Sequence, residues 1–225
     1  MSVSVVWFRR DLRVRDHPAL MRAVDVGDRV APVFVVDEQL LAGRWLSPNR
    51  LWFLRESVAA LAEELARLGA PLTVIRGDPR VVVPAFARAV EARRVLVSRD
   101  ATPYGRARDR DVAEELRAAG ILLEAAPGLL IVEPDAVATA AGTPYRVYAP
   151  FRRAWLAAPR RALLPAPPAI RAATVPPAAA IDDVLDPIEP TADAGGLPEP
   201  GERAARRRLE RWATSPALDR YTAWA

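Results

Sequence analysis

Five short β-branched runs, Val3 to Phe8, Val30 to Val36, Leu72 to Ile75, Val95 to Ser98 and Ile121 to Leu123, alternate with longer amphipathic stretches. These stretches are Pro18 to Val24, Pro48 to Leu68, Val81 to Ala92 and Arg106 to Ala119, and they carry helical periodicity. This alternation constrains the chain more than any other feature. It predicts an α/β fold: a Rossmann-like, doubly wound, five-stranded parallel sheet with helices on both faces. The second helix is the clearest, with Leu51, Leu54, Val58, Leu61, Leu65 and Leu68 on one side, Ser47 as its cap and Pro48 in its first turn. Gly69 ends it, and the leucine stripe is core packing.

A doubly wound sheet gathers the carboxyl ends of its strands along one edge, where a ligand site is expected. The loops after Phe8, Val36, Ile75 and Ser98 meet there, and they are polar: Arg9-Arg10-Asp11, Asp37-Glu38-Gln39, Arg76-Gly77-Asp78 and Arg99-Asp100. Taken singly, each is no more than the polar turn that any strand end requires.

Composition closes several routes. The 225 residues contain no Cys and one His, which excludes disulfides, thiolate sites, cysteine nucleophiles and multi-histidine metal centres. No Lys occurs, so all 32 basic residues are Arg, and Schiff-base lysines and P-loops are excluded as well. A formal charge of +4 does not by itself mark a nucleic-acid binder. No apolar stretch approaches the ~18 residues of a membrane span, and the expectation is a cytoplasmic protein.

From Pro159 to Pro200 the texture changes: ten of the 22 prolines fall there and the hydrophobic period fades. This reads as an extended linker between a first domain, residues 1–158, and a last segment, residues 201–225. Helical periodicity resumes from Glu199 to Thr214. One helix cannot bury a core of its own, so the chain is expected to be the front of something larger, or the helix to dock back.

The run Val5-Val6-Trp7-Phe8-Arg9-Arg10-Asp11-Leu12-Arg13-Val14-Arg15-Asp16-His17-Pro18-Ala19-Leu20 resembles the opening signature of the DNA photolyase and cryptochrome family. Ser47-Pro48-Asn49-Arg50 is similar to the family's second block, and Thr102-Pro103-Tyr104-Gly105-Arg106-Ala107-Arg108-Asp109 to its third. The stretch from Tyr145 to Trp155 resembles the fourth, and Pro200-Gly201-Glu202 with Ala204, Ala205 and Leu209 resembles the start of the flavin-binding domain. Five blocks in order span nearly the whole chain.

The resemblance implies an α/β domain that binds a light-harvesting antenna chromophore. A helical domain that binds FAD and UV-damaged DNA would follow, and this chain would hold only its first helix. The antenna would pass excitation to reduced FAD, which gives an electron to a flipped-out cyclobutane pyrimidine dimer and splits it. The family activity implied is therefore that of a light-dependent lyase, with this chain its light-gathering part, inactive alone and monomeric. A cryptochrome-like photoreceptor or a stand-alone chromophore module is the alternative. A nucleotide-binding α/β enzyme is a third, although Arg9-Arg10-Asp11 stands where its Gly-rich loop should be.

Family members that use an 8-hydroxy-5-deazaflavin imply contacts at Val35, Val36, Asp37, Arg50, Asp100 and Arg108. Arg50, in the first turn of a helix, could hold an acidic oxygen of the chromophore. Members that use methenyltetrahydrofolate carry an Asn-Glu pair where this chain has Tyr104 and Gly105, so the resemblance favours the deazaflavin. Tyr221 falls at the family's first FAD-contacting tyrosine, but Thr222-Ala223-Trp224-Ala225 departs from the pattern after it.

Several residues have plainer roles. Arg108 and Asp109 could equally be a surface helix pair. Asp16 is expected to cap the first helix beside Pro18, and His17 is given no catalytic role. The arginines from Arg203 to Arg211 read as a solvated helix face. Tyr145, Tyr148, Phe151 and Trp155 read as packing that fixes the linker to the first domain.

Overall fold

The computed structural model describes residues 2–43, 46–177, 179–191 and 196–224; Ala225, the last residue of the expected third segment, lies outside them. Five strands form one all-parallel sheet: β1 (Val3–Phe8), β2 (Arg29–Asp37), β3 (Thr73–Gly77), β4 (Ala92–Ser98) and β5 (Leu122–Ala126), in the order β3-β2-β1-β4-β5. The crossovers are α1 (Pro18–Val26), the pair α2 (Glu38–Leu41) and α3 (Pro48–Arg67), α4 (Pro79–Ala89) and α5 (Pro103–Ala118). All five strands and four crossover helices expected from periodicity are present, with shifted ends; the four-residue α2 has no counterpart among the expected helices.

The period-2 alternation of each strand divides the core in two. Val6, Phe8, Phe34, Val36 and Leu96 pack on one face with Leu20 of α1 and Val58, Leu61 and Leu65 of α3. Val5, Trp7, Val33, Val35 and Val97 pack on the other with Val83 and Phe86 of α4 and Val112 and Leu116 of α5. Each fully buried leucine of the α3 stripe contributes about 1.5–3 kcal/mol by leaving water. Helix starts are set by side chains: the hydroxyls of Ser47 and Thr102 and the carboxylate of Asp78 each accept from a backbone N–H of the first turn of α3, α5 and α4.

The cap of α1 corrects the sequence expectation. His17, not Asp16, is the N-cap, and its Nδ1 accepts from Leu20 N at 3.0 Å. Asp16 instead sits in the left-handed region at φ 50°, where its carboxylate pairs with Arg161 and accepts from Leu164 N at 3.2 Å. An N-cap needs extended backbone, and Asp16 has been drawn out of that geometry by a partner 145 residues away.

Among its described residues the Pro-rich segment has little regular structure, yet it is held against the domain. Val30 N donates to Arg171 O and Ala173 N to Val30 O, while Ile170 N donates to Leu68 O. Ile170, Val184 and Leu185 are buried in the core between the sheet and α3, Val184 as the last residue of α7 (Ile181–Val184). Helix α8 (Glu202–Ala213) docks on α3: Glu202 accepts from Val14 N at 2.8 Å and Arg15 N at 3.3 Å, and Arg203 pairs with Glu64. A further helix, α9 (Pro216–Trp224), follows it beyond the span of the expected periodicity.

Helix α6 (Tyr148–Ala157) corrects the reading of the aromatic block. None of its residues is buried, and Tyr148 is 72% exposed. Tyr145 and Tyr148 each lie 6.5 Å from Phe151, and Arg160 lies over Trp155, so the rings pack on their own segment rather than pinning the linker. Helical spacing brings side chains together on one face but does not say whether another element covers it.

Candidate functional site

Strand order reverses about β1, so the loops that follow β1 and β4 diverge and leave a crevice at their carboxyl ends. A cavity of about 830 Å³ fills it, and its wall is reached by the end of β2 through Asp37, by the loops after β1 and β4 through Arg9 and Asp100, and by the start of α4 through Pro79. Helix α3 closes another side with Asn49, Arg50, Phe53, Leu54 and Ser57, and Leu197 and Pro198 of the Pro-rich segment lie at its edge. Val35, Val36, Asp37, Arg50, Asp100 and Arg108, scattered over 74 positions of sequence, all line this one cavity.

Asp37 ends β2 and is committed at both oxygens. Oδ1 caps α2 by accepting from Gln39 N at 3.0 Å, and Oδ2 accepts from the Tyr104 hydroxyl. Burial, then the bond to Asp37 and its charge, push the Tyr104 phenol well above its ordinary range, so it stays a donor.

Asp100 follows β4. Burial opposes its ionisation, but the N–H and hydroxyl of Thr102, at 2.9 and 2.8 Å, together with Arg9 and Arg108, hold the carboxyl below its ordinary value. The carboxylate can lie this close to α5 because position 105 is glycine; a Cβ there would overlap it.

Arg108 is 8% exposed, with Nη2 3.6 Å from Asp100 and 3.0 Å from Asp109. Asp109 also pairs with Arg9, whose guanidinium donates to Ser98 O. Arg108 and Asp109 are therefore not a surface pair. Arg9 and Arg108 both lie 5.0 Å from the centroid of the Trp7 ring, and Arg108 lies 5.5 Å from that of Tyr104. Arg10 stands at the rim with most of its side chain exposed. Arg50 lines the cavity from the first turn of α3, where its N–H is capped by Ser47.

Behind the site, Asp11 and His17 form a buried pair with Oδ2 and Nε2 2.8 Å apart. Burial raises the Asp11 carboxyl, but bonding and charge from His17 and a bond from Ser98 outweigh it and leave it well below the ordinary carboxylate range. The pair lies in the β1–α1 turn, and neither residue lines the cavity described above.

Tyr221 does not join the cavity. It is 65% exposed on α9, 6.2 Å from Trp212 in edge contact. Conversely, Trp7, Tyr104, Asn49 and Phe53 belong to the wall, although sequence patterns do not place them there. Trp7 occupies an inward strand position indistinguishable from core. Tyr104 has a signal in its place at the start of α5, beside the loop that carries Asp100. Among the described residues no group of three or more acidic or histidine side chains could hold a metal ion. No helix among them is long and apolar enough to cross a membrane.

The sequence matches the family model for DNA photolyase over residues 4–170. It is 38% identical over 222 residues to a deoxyribodipyrimidine photo-lyase of Thermus thermophilus, covering 98% of this chain and 47% of that protein. It is 36% identical over 213 residues to an uncharacterized 31.6 kDa protein of Synechococcus sp. strain PCC 6716, covering 92% of this chain and 73% of that one. A bacterial class III photolyase from Agrobacterium tumefaciens has a similar structure, with a TM-score of 0.83 at 30% identity over 94% of this chain and 44% of its own. The chain thus spans about half the length of the photolyases it matches.

Proposed function

The chain belongs to the DNA photolyase family, and on that premise we propose that its cavity at the carboxyl edge of the sheet holds the antenna chromophore of a deoxyribodipyrimidine photolyase. The convergence of Val35, Val36, Asp37, Arg50, Asp100 and Arg108 on one wall carries this reading. At about 830 Å³ the cavity lies in the range of cofactor sites, and its lining fits a flat conjugated ring edged by polar atoms. Phe34, Phe53 and Leu54 offer apolar faces for such a ring. The carboxylates of Asp37 and Asp100 have lone pairs to accept from ring N–H groups, and Arg50, at the positive end of α3, would hold an acidic oxygen.

An 8-hydroxy-5-deazaflavin suits this donor set better than methenyltetrahydrofolate. Gly105 stands where folate users have a Glu, and the crowding of Asp100 leaves no room there for any side chain. When bound, the group supplies near-UV or blue absorption and passes excitation to reduced FAD. The residues of this chain would orient the ring and exclude water, and Thr102, Arg9 and Arg108 keep the Asp100 carboxylate ionised beside it. FAD, with Tyr221 as one contact, and the flipped pyrimidine dimer would be held by a helical domain that begins with α8, and light-driven dimer repair is the activity that arrangement serves.

Titrating the purified chain with 8-hydroxy-5-deazaflavin while recording absorption and fluorescence anisotropy tests the site. Saturable one-to-one binding that weakens in Arg50→Ala and Asp100→Ala is expected. Absence of binding by this compound, by FMN and by the folate would refute the reading.

A further inference from the structure

Among the described residues, four aromatic side chains line the cavity: Trp7, Phe34, Phe53 and Tyr104. Indole and phenol rings are readily oxidised and phenyl rings are not, so Trp7 and Tyr104 are the two electron donors that a photo-excited ligand would meet. An excited conjugated ring is a strong oxidant, and an adjacent indole or phenol ordinarily gives it an electron and drains the excitation. For a site that must hand excitation on, both side chains are hazards.

Both are covered by the same cation. Arg108 lies over Trp7 at 5.0 Å and over Tyr104 at 5.5 Å, and Arg9 adds a second guanidinium over Trp7 at 5.0 Å. Arg9 and Arg108 bond through their nitrogens to Asp109, and Asp100 lies 3.6 Å from Arg108, so carboxylates anchor the cations while the guanidinium carbons lie over the rings. Trp7 is 2% exposed, so water screens the guanidinium charges over its ring little.

We propose that Arg108, assisted by Arg9, keeps Trp7 and Tyr104 from donating an electron to an excited chromophore in the cavity, so that excitation leaves the site by energy transfer. The inference rests on the antenna reading above. Loss of one electron from the indole to the excited ligand makes or breaks no bond and leaves a radical cation on Trp7, which two guanidinium ions oppose. Loss from Tyr104 sends the electron to the ligand and the phenol proton to the Asp37 carboxylate. The charge of the Tyr104–Asp37 unit then rises by one, and Arg108 opposes that also.

Time-resolved fluorescence of 8-hydroxy-5-deazaflavin bound to the full chain tests this, with the bound fraction set by anisotropy. The wild-type lifetime is expected to stay within about twofold of the free compound, and Arg108→Gln to shorten it roughly fivefold, as loss of a desolvated cation–π contact implies. Arg108→Lys, which keeps the charge, should retain the long lifetime, and adding Trp7→Phe and Tyr104→Phe to Arg108→Gln should restore it. Arg9→Gln provides a second variant that touches Trp7 alone and should shorten the lifetime in the same direction. Strong quenching in the wild type, or unchanged lifetimes in both glutamine variants with the ligand bound, would overturn the proposal and leave the site reading standing. Failure of the wild type to bind would overturn the site reading and this proposal with it.

Discussion

The Tyr104 hydroxyl donates to the Asp37 carboxylate and so ties the first turn of α5 to the end of β2 across the cavity. Two crossovers that leave the sheet on either side of β1 are joined by this bond at the cavity wall. Tyr104→Phe should cost about 2 kcal/mol, the worth of a hydrogen bond to a charged group, and lower the melting temperature by several degrees. A thermal melt reads this, and an unchanged midpoint would mean the bond adds nothing to the fold.

Gly105→Ala reverses the usual sign of a helix substitution. Alanine ordinarily stabilises a helix interior by about 0.5–1 kcal/mol over glycine. Here its Cβ would overlap Asp100, so a net loss of roughly 1–3 kcal/mol is expected from overpacking, together with weaker chromophore binding. Denaturant unfolding and a binding titration decide it; a stabilised variant would show that Asp100 can withdraw without cost.

The Asp11–His17 pair makes an acid-side prediction. Because the folded carboxyl lies below its ordinary value of about 3.9, its contribution to stability is fully present above that pH and is lost as the pH falls further. Asp11→Asn should therefore flatten the stability profile below about pH 4. Asp11→Ala, which leaves the buried Nε2 of His17 without its partner, should cost about 1–3 kcal/mol near neutrality. Unfolding curves for the three proteins from pH 7 downward provide the check.

Glu202 holds the start of α8 through two backbone N–H groups of the β1–α1 turn. Glu202→Ala should cost about 1–2 kcal/mol and speed proteolytic cleavage among the arginines of α8, while the sheet amides keep their exchange protection. Equal loss of protection in the sheet would mean that α8 and the sheet open as one unit.

Much of this architecture is legible in the sequence because its signals are local. A period of two or of three to four residues marks each strand and crossover, and polar triplets after strands mark the ligand edge. Contacts that depend on a distant partner are not legible. Asp16 reads as a cap until Arg161 claims it, and His17 then takes the role with Nδ1, an acceptor that sequence patterns for caps seldom count. Trp7 reads as core because inward strand positions look alike whether they meet a helix or a cavity. The four residues of α2 are too few to show a period, and their start is signalled only by Asp37, a residue also occupied by Tyr104. In the block around Phe151 the helical spacing is real, but the spacing of apolar residues carries no information about whether a neighbour exists to cover them.

The return of residues 170–173 to the start of β2 and the end of α3 has a consequence for the order of events in synthesis. Backbone groups at Val30 and Leu68 find their partners more than 100 positions later, and Ile170 and Leu185 fill the core between the sheet and α3. As the chain leaves the ribosome, a sheet complete in all five strands still has an open seam, which seals only when the segment through Leu185 has emerged. Translation pauses or chain breaks between Ala126 and Ile170 would strand a half-closed domain with apolar surface in water, and such species aggregate.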